Sequence, residues 1–112
     1  MIIEDPVSVE GIGEELAGLA RDLAPEAVVS WDDTADVLLA HVVARRLDVG
    51  RLTIVADLGR LSVVGTGRPS RVVLVAAAFD REHAVEPAVA LLARQGAQVV
   101  AVCSADAGVV TP

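Results

Sequence analysis

The sequence contains no lysine, no asparagine and no tyrosine, and only one cysteine, one tryptophan and one phenylalanine. Without lysine, no side chain can form a Schiff base with a substrate. The single cysteine, Cys103, has no second cysteine with which to form an internal disulfide, as is usual in a reducing compartment. No apolar run approaches the ~20 residues that a membrane helix needs. The first ten residues carry acids and lack the basic region of a signal peptide. We therefore expect a cytoplasmic protein that contacts no membrane.

The composition otherwise indicates one folded, acidic domain. Hydrophobic residues make up 54% of the 112 positions, which is enough to fill a core and excludes general disorder. Sixteen acids against nine bases, all of them arginine, give a net charge of −7. Since nucleic-acid binding requires a basic face, nucleic acid is excluded as an expected partner. We expect a single domain over residues 1–112, with a small-residue tail at 106–112 that is flexible.

The hydrophobic pattern predicts helices that alternate with fully apolar strands. Ser8 is a possible cap for the first helix, which ends before Pro25, and Asp33 or Thr34 can cap the second. The predicted strands are 27–29, 52–56, 61–64, 72–77 and 99–103, and the predicted second and third helices are 34–47 and 84–95. Uninterrupted apolar strands are typical of a sheet that is covered on both faces. We predict a three-layer α/β/α sandwich whose mostly parallel sheet has about five strands, one of which returns in a hairpin at 57–60.

One stretch of the sequence resembles the core of the type I phosphoribosyltransferases. Residues 71–102, RVVLVAAAFDREHAVEPAVALLARQGAQVVAV, keep the family's frame of an apolar strand, a connecting loop, a helix ending in "LL…GA" and a closing "VVAV" strand. Residues 28–47 resemble the family's pyrophosphate loop and the helix that follows it. The resemblance covers about residues 25–104. It implies the family's α/β fold and a tendency to form homo-oligomers.

The residues that the resemblance assigns to chemistry differ from the family's pattern. The two acids that bind the ribose hydroxyls of phosphoribosyl pyrophosphate fall at Ala76 and Ala77. The Thr/Gly-rich loop that holds the 5′-phosphate falls at 80–84, where acids replace glycines. The small and glycine positions of the pyrophosphate loop fall at 31–34, which again include two acids. The chain therefore resembles a short, degenerate member of the family that lacks the motif for phosphoribosyl pyrophosphate.

We predict that residues of two loops bind a ligand or a partner, since these loops leave the same edge of a parallel sheet. Both large aromatic residues of the chain fall on these loops, and aromatics are common at binding hot spots. The alternative for these aromatics is packing within the domain. The candidates are Trp31, Asp32, Asp33, Thr34, Phe79, Asp80, Arg81, Glu82 and His83.

The acids of these loops have several interpretations. Asp32, Asp33 and Asp36 are suited to a hard cation such as Mg²⁺ or to capping of the second helix, and the sequence favours capping. Asp80, Glu82 and His83 either line a site or form a solvated loop. An acidic rim at this edge would suit a cationic partner. No residue is assigned a catalytic or metal-binding role.

These observations lead to a functional hypothesis and to alternatives. We expect a phosphoribosyltransferase-like protein that has lost catalysis, requires no cofactor, and acts as a binding or assembly subunit, with itself or with another protein as partner. The first alternative is a diverged phosphoribosyltransferase that uses Mg²⁺. The second is a regulator that binds a small molecule or a metal.

Overall fold

The computed structural model describes residues 5–79 and 84–110 and contains three α-helices and six strands within those ranges. The helices are α1 (Pro6–Ala20), which continues into a 3₁₀ turn (Arg21–Leu23), α2 (Thr34–Leu47) and α3 (Val85–Arg94). The strands are β1 (Ala27–Trp31), β2 (Gly50–Asp57), β3 (Arg60–Val64), β4 (Arg71–Ala76), β5 (Gln98–Ser104) and β6 (Gly108–Val110).

The six strands form one sheet in the order β3-β2-β1-β4-β5-β6. The four inner strands, β2, β1, β4 and β5, are parallel, while β3 and β6 pair antiparallel at the two edges. The predicted mostly parallel α/β sheet is therefore confirmed.

Two hydrophobic clusters, one on each face of the sheet, form the core. Val28, Val73 and Ala101 pack with α1 and α2, whereas Val29 and Leu74 pack with α3. Neighbouring strand residues point to opposite faces, so a strand that is covered on both sides must be apolar at every position. All five residues of β1 are buried, as this arrangement requires.

The cap of the first helix lies three residues before the predicted one. Asp5 is the N-cap, and its carboxylate accepts hydrogen bonds from the backbone N–H of Ser8 at 3.2 Å and from the Ser8 hydroxyl at 3.0 Å. Pro6 occupies the first turn, where its missing N–H costs no hydrogen bond. Ser8 is thus a donor to the cap and not the cap itself.

Helices α1 and α2 pack closely at Gly13. A Cβ atom at this glycine would lie 2.7 Å from Cβ of Val42, so only glycine permits this separation of the two helices. At the exposed rim of the same contact, Glu10 accepts hydrogen bonds from Arg45 at 2.9 Å and from Arg46 at 3.4 Å. These exposed ion pairs contribute little stability, so the close packing at Gly13 is the main determinant of how the helices meet.

The structure also corrects the predicted elements at two places in the sheet. Strand β1 extends to Trp31, so this residue belongs to the sheet and not to the loop. Residues 108–110, which were expected in a flexible tail, form β6 and pair with Val102–Ser104 of β5. The sheet therefore has six strands, one more than predicted.

The predicted hairpin between β2 and β3 is confirmed. Its turn residues, Leu58 and Gly59, both have positive φ, at 51° and 77°. This is the backbone of a two-residue type I′ turn, whose twist matches that of antiparallel strands. The Leu58 side chain is 95% exposed at the tip of the hairpin.

In the described part of the chain, none of the helices combines the length and the apolar character that crossing a membrane requires.

Candidate functional site

The candidate site lies between β1 and β4, because the connections that follow these two adjacent strands lead to opposite sides of the sheet. Strand β1 is flanked by β2 and β4. The chain passes from β1 through α2 to β2 on one side, and from β4 through α3 to β5 on the other. Because α2 and α3 cover opposite faces, the two connections diverge at the carboxyl ends of β1 and β4, and we refer to this region as the crevice. Ligands of open α/β sheets bind at such a crevice.

The start of α2 forms one side of this crevice. Asp33 is the N-cap, with an extended backbone, and its carboxylate accepts a hydrogen bond from the N–H of Ala35 at 3.4 Å. Its carbonyl oxygen accepts from the N–H of Val37 at 2.8 Å. The capping hypothesis is therefore confirmed for Asp33, while Thr34 is the first helical residue and is exposed.

Asp36 connects this helix to the neighbouring strand. Its side chain is 1% exposed, and its Oδ1 accepts a hydrogen bond of 2.8 Å from the backbone N–H of Ala77, immediately after β4. Burial of an acid costs free energy unless its oxygens accept hydrogen bonds, so this contact links α2 to the end of β4 within the crevice.

The sequence indicated the charge of Asp36 but not this contact. The signal that could have located it is helical spacing, since Asp36, Ala40 and Val43 recur at intervals of four and three residues and all three are buried. Asp36 thus lies on the face of α2 that meets the sheet.

The two large aromatic residues contact each other beneath the crevice. Trp31, at the end of β1, is 4% exposed. Its ring meets the ring of Phe79 edge to face, with centroids 5.8 Å apart and planes at 70°. Such pairs add about 0.5–1.5 kcal/mol beyond the area that they bury. The structure therefore places Trp31 in the core, while Phe79 is half-buried over it.

The exposed polar surface of the crevice is acidic. Asp32, Asp33 and Thr34 are all exposed next to one another, and the N–H of Asp32 donates to the carbonyl of Ile54 at 3.0 Å, which anchors this loop to β2. The remaining predicted site residues, Asp80, Arg81, Glu82 and His83, lie outside the described residues. Within residues 5–79 and 84–110, no group of three or more His, Cys, Asp or Glu side chains is arranged to hold a metal ion.

Two titratable groups away from the crevice have shifted pKa values. Burial raises the pKa of the Cys103 thiol to about 12, so the thiolate needed for nucleophilic chemistry is absent at neutral pH. Hydrogen bonds from the hydroxyl and then the N–H of Ser70, and from the N–H of Arg71, lower the pKa of Glu26. This carboxylate accepts those bonds at 2.7, 2.8 and 3.0 Å and links the start of β4 to the residue before β1.

The sequence matches no protein-family model and no curated protein. Its fold, however, is similar to those of several solved phosphoribosyltransferases. The adenine phosphoribosyltransferase of Leishmania tarentolae has a TM-score of 0.71 and 17% identity, over 90% of this chain and 58% of that chain. That of Trypanosoma brucei, solved with AMP, pyrophosphate and ribose-5-phosphate, has a TM-score of 0.71 and 21% identity, over 90% of this chain and 52% of that chain.

A purine phosphoribosyltransferase from Pyrococcus horikoshii is also similar, with a TM-score of 0.65 and 17% identity, over 88% of this chain and 72% of that chain. The chain thus spans little more than half the length of the Leishmania and Trypanosoma enzymes. At these identities the likeness concerns the fold, and this chain has the fold of the type I phosphoribosyltransferases.

Proposed function

We propose that this chain is a phosphoribosyltransferase-like protein that has lost the transferase reaction and serves as a binding or assembly subunit for a protein partner. The observation that carries the proposal is the hydrogen bond between the buried Asp36 carboxylate and the N–H of Ala77 in the crevice. In the family that the sequence resembles, this crevice receives phosphoribosyl pyrophosphate.

The start of α2 supports the loss of pyrophosphate binding. An anion binds a helix N-terminus through free N–H groups and the positive end of the helix dipole. Here Asp33 accepts from the N–H of Ala35, and Asp36 adds a second carboxylate in the first turn. Two like charges 4 Å apart repel by about 4 kcal/mol at an effective dielectric constant of 20. The chain's own acids therefore oppose a pyrophosphate group at this position.

The end of β4 supports the loss of ribose binding. The resemblance places the family's two ribose-binding acids at Ala76 and Ala77, whose methyl groups accept no hydrogen bond. Ala76 is fully buried, and the N–H of Ala77 is directed to Asp36. The two positions at which the resemblance expects ribose-binding carboxylates thus offer no acceptor side chain, and one of their N–H groups already donates within the chain.

The exposed acids support a role in binding a partner. Asp32 and Asp33 are exposed and directly follow the buried Trp31, and the hydrogen bond from the N–H of Asp32 to the carbonyl of Ile54 holds them against β2. Acidic surfaces attract cationic segments and increase the rate of encounter with them. The partner that fits is a protein with an arginine- or lysine-rich segment.

The first experiment tests the loss of the reaction. The thermal unfolding of the full chain is followed with millimolar Mg²⁺ and phosphoribosyl pyrophosphate, with Mg²⁺ alone as the control. A ligand at 100 times its dissociation constant stabilises a protein by about 2.7 kcal/mol. We expect no rise in the unfolding temperature beyond the rise that the same concentration of inorganic pyrophosphate with Mg²⁺ produces. A larger rise that depends on the concentration of phosphoribosyl pyrophosphate would overturn the proposal.

The second experiment tests the acidic surface. Tagged protein is expressed in its own cells as the wild type, as Asp32→Lys and as Asp22→Lys. Asp22 is an exposed acid of the 3₁₀ turn, so its substitution makes the same change in charge away from the crevice. We expect Asp32→Lys to reduce the recovery of a partner that wild type and Asp22→Lys retain. Equal recovery with all three proteins would show that the acidic surface is not the binding surface.

The fold itself favours one alternative, a diverged phosphoribosyltransferase that uses Mg²⁺, because the similar structures include enzymes. This alternative predicts the rise in unfolding temperature that our proposal excludes. A regulator that binds a small molecule or a metal is the other alternative. For a metal it predicts stabilisation by the metal alone, which the Mg²⁺ control measures for that ion.

A further inference from the structure

A cleft of about 650 Å³ lies at the amino ends of the parallel strands, at the end of the sheet opposite the crevice. It lies between the loop that follows β3, the start of β2 and the carboxyl end of α3. Six of the residues that line it are Leu52, Gly67, Arg68, Leu92, Arg94 and Gln95. Its volume falls within the range of about 300–1,000 Å³ that is usual for small-molecule sites. It is separate from the crevice that contains Asp36.

The charge of this cleft is opposite to that of the chain. The protein has sixteen acids and nine bases, yet the described residues that line the cleft include Arg68 and Arg94 and no acid. Both arginines are exposed, and neither forms an ion pair with any residue in the described ranges. Two guanidinium groups are therefore available to an anion.

A third arginine lies beside the same loop. A smaller pocket of about 360 Å³ shares Gly67 and Arg68 with the cleft and is also lined by Arg51 and Glu26. Nη1 of Arg51 is buried and has no hydrogen-bond partner among the described residues. Glu26 accepts three hydrogen bonds from Ser70 and Arg71 that lower its pKa, so it is ionised at neutral pH and its charge offsets part of the attraction of Arg51 for an anion. An anion near Arg68 would also be attracted by Arg51.

The backbone of the loop is suited to a ligand. Gly67 has φ +86°, and a Cβ atom built there would meet no atom within 4 Å, so the backbone borders open space. Gly65, in contrast, lies against β2, where a Cβ atom would be 3.1 Å from the carbonyl oxygen of Arg51. Gly65 therefore fixes the loop against the sheet, while Gly67 leaves it accessible.

The carboxyl end of α3 does little to oppose an anion. Helix carbonyl groups carry partial negative charge, but here two carbonyls of the last turn accept hydrogen bonds. The Leu92 carbonyl accepts from the N–H groups of Gln95 and Ala97 at 3.0 and 2.9 Å, and the Ala93 carbonyl accepts from Gly96 at 3.0 Å. The two arginines thus dominate the charge that the cleft presents.

We propose that this cleft binds a small molecule that carries a phosphate group. Arginine is the side chain that best matches phosphate, because its planar guanidinium donates two parallel hydrogen bonds. Arg68 and Arg94 bind the phosphate, and the apolar side chains of Leu52 and Val63, which also line the cleft, contact the rest of the molecule. The proposal concerns a second site and does not depend on the function proposed above.

The test is a titration of the full chain with inorganic pyrophosphate, followed by two-dimensional NMR of the backbone amides. We expect saturable shifts at Gly67 and Arg68 and none at Ala35 or Val37 in the first turn of α2. Arg68→Gln and Arg94→Gln should weaken binding about tenfold or more, because each removes a charged hydrogen bond. Arg60→Gln is the matched control, since Arg60 is exposed, lies at the β2–β3 hairpin and does not line the cleft.

The outcomes distinguish the two proposals. Absence of saturable shifts, or equal binding by wild type and both cleft variants, would overturn the phosphate site and leave the loss of transferase activity standing. Shifts confined to the first turn of α2 would overturn the phosphate site and would also contradict the proposed loss of pyrophosphate binding at the crevice.

Discussion

The N–H of Ala77 donates a hydrogen bond of 2.8 Å to the carboxylate of Asp36, and this contact joins the helix after β1 to the residue after β4. It places an acid of the chain itself in the crevice where α/β proteins of this fold bind their ligands. The contact has consequences for stability as well as for function.

Asp36→Ala should destabilise the protein by about 1–3 kcal/mol, because the N–H of Ala77 loses its acceptor in a water-poor environment. Asp32→Ala is the matched control: Asp32 is exposed, and its substitution should change the free energy of unfolding by no more than about 0.5 kcal/mol. Urea unfolding measures both. Equal effects of the two substitutions would show that the Asp36 contact does not stabilise the crevice.

Gly13→Ala should destabilise the protein by about 1–3 kcal/mol, the usual cost of overpacking, because the added methyl group would meet Val42 of α2. Gly11 lies in the same helix, and a Cβ atom there meets nothing within 4 Å. Gly11→Ala should therefore stabilise the protein by about 0.5–1 kcal/mol through helix propensity. If Gly13→Ala were also stabilising, α1 and α2 would not be packed as the structure has them.

The contribution of Glu26 to stability should depend on pH. Its pKa is lower in the folded protein than the ordinary value of 4.5, so its ionised form stabilises the fold above that value and loses this effect as the pH falls through the folded pKa. Glu26→Gln should therefore be less stable than the wild type at pH 7, and the difference should shrink in acid. Urea unfolding at pH 7 and pH 3 measures this, and a difference that stays constant would contradict the assignment.

Cys103 should resist alkylation in the folded protein. Burial raises its pKa to about 12, so both the thiolate and access to reagent are lacking at pH 8. Iodoacetamide should modify the chain rapidly in 6 M guanidinium chloride and at a negligible rate without it, as mass spectrometry can show. Rapid modification of the native protein would mean that β5 is accessible to solvent.

Most of the fold could be predicted from local patterns. The predicted bounds of α2 agree with the structure because its cap, its apolar spacing and its basic last turn are all local signals. Strand β6 could not be predicted from the sequence. Its three residues form a strand only because they pair with β5, and so short a segment has no recognisable strand pattern.

The candidate site was predictable in its location and less so in its contacts. The order of helices and strands predicts that the two loops lie together at the carboxyl ends of the parallel strands. The burial of Trp31, in contrast, depends on how far β1 extends and on its contact with Phe79, which is 48 residues away in the chain. The cleft at the other edge was also missed, since Arg68 and Arg94 come together only through the packing of α3 on the sheet.

Native mass spectrometry of the tagged protein from its own cells distinguishes a phosphoribosyltransferase-like chain that works through a protein partner from one that works through catalysis. We expect a complex with a second polypeptide, or with further copies of this chain, at fixed stoichiometry and without a nucleotide. Recovery of the chain as a monomer would contradict a role through a partner. So would a bound nucleotide or phosphoribosyl pyrophosphate that the wild type retains and the Asp36→Ala variant loses.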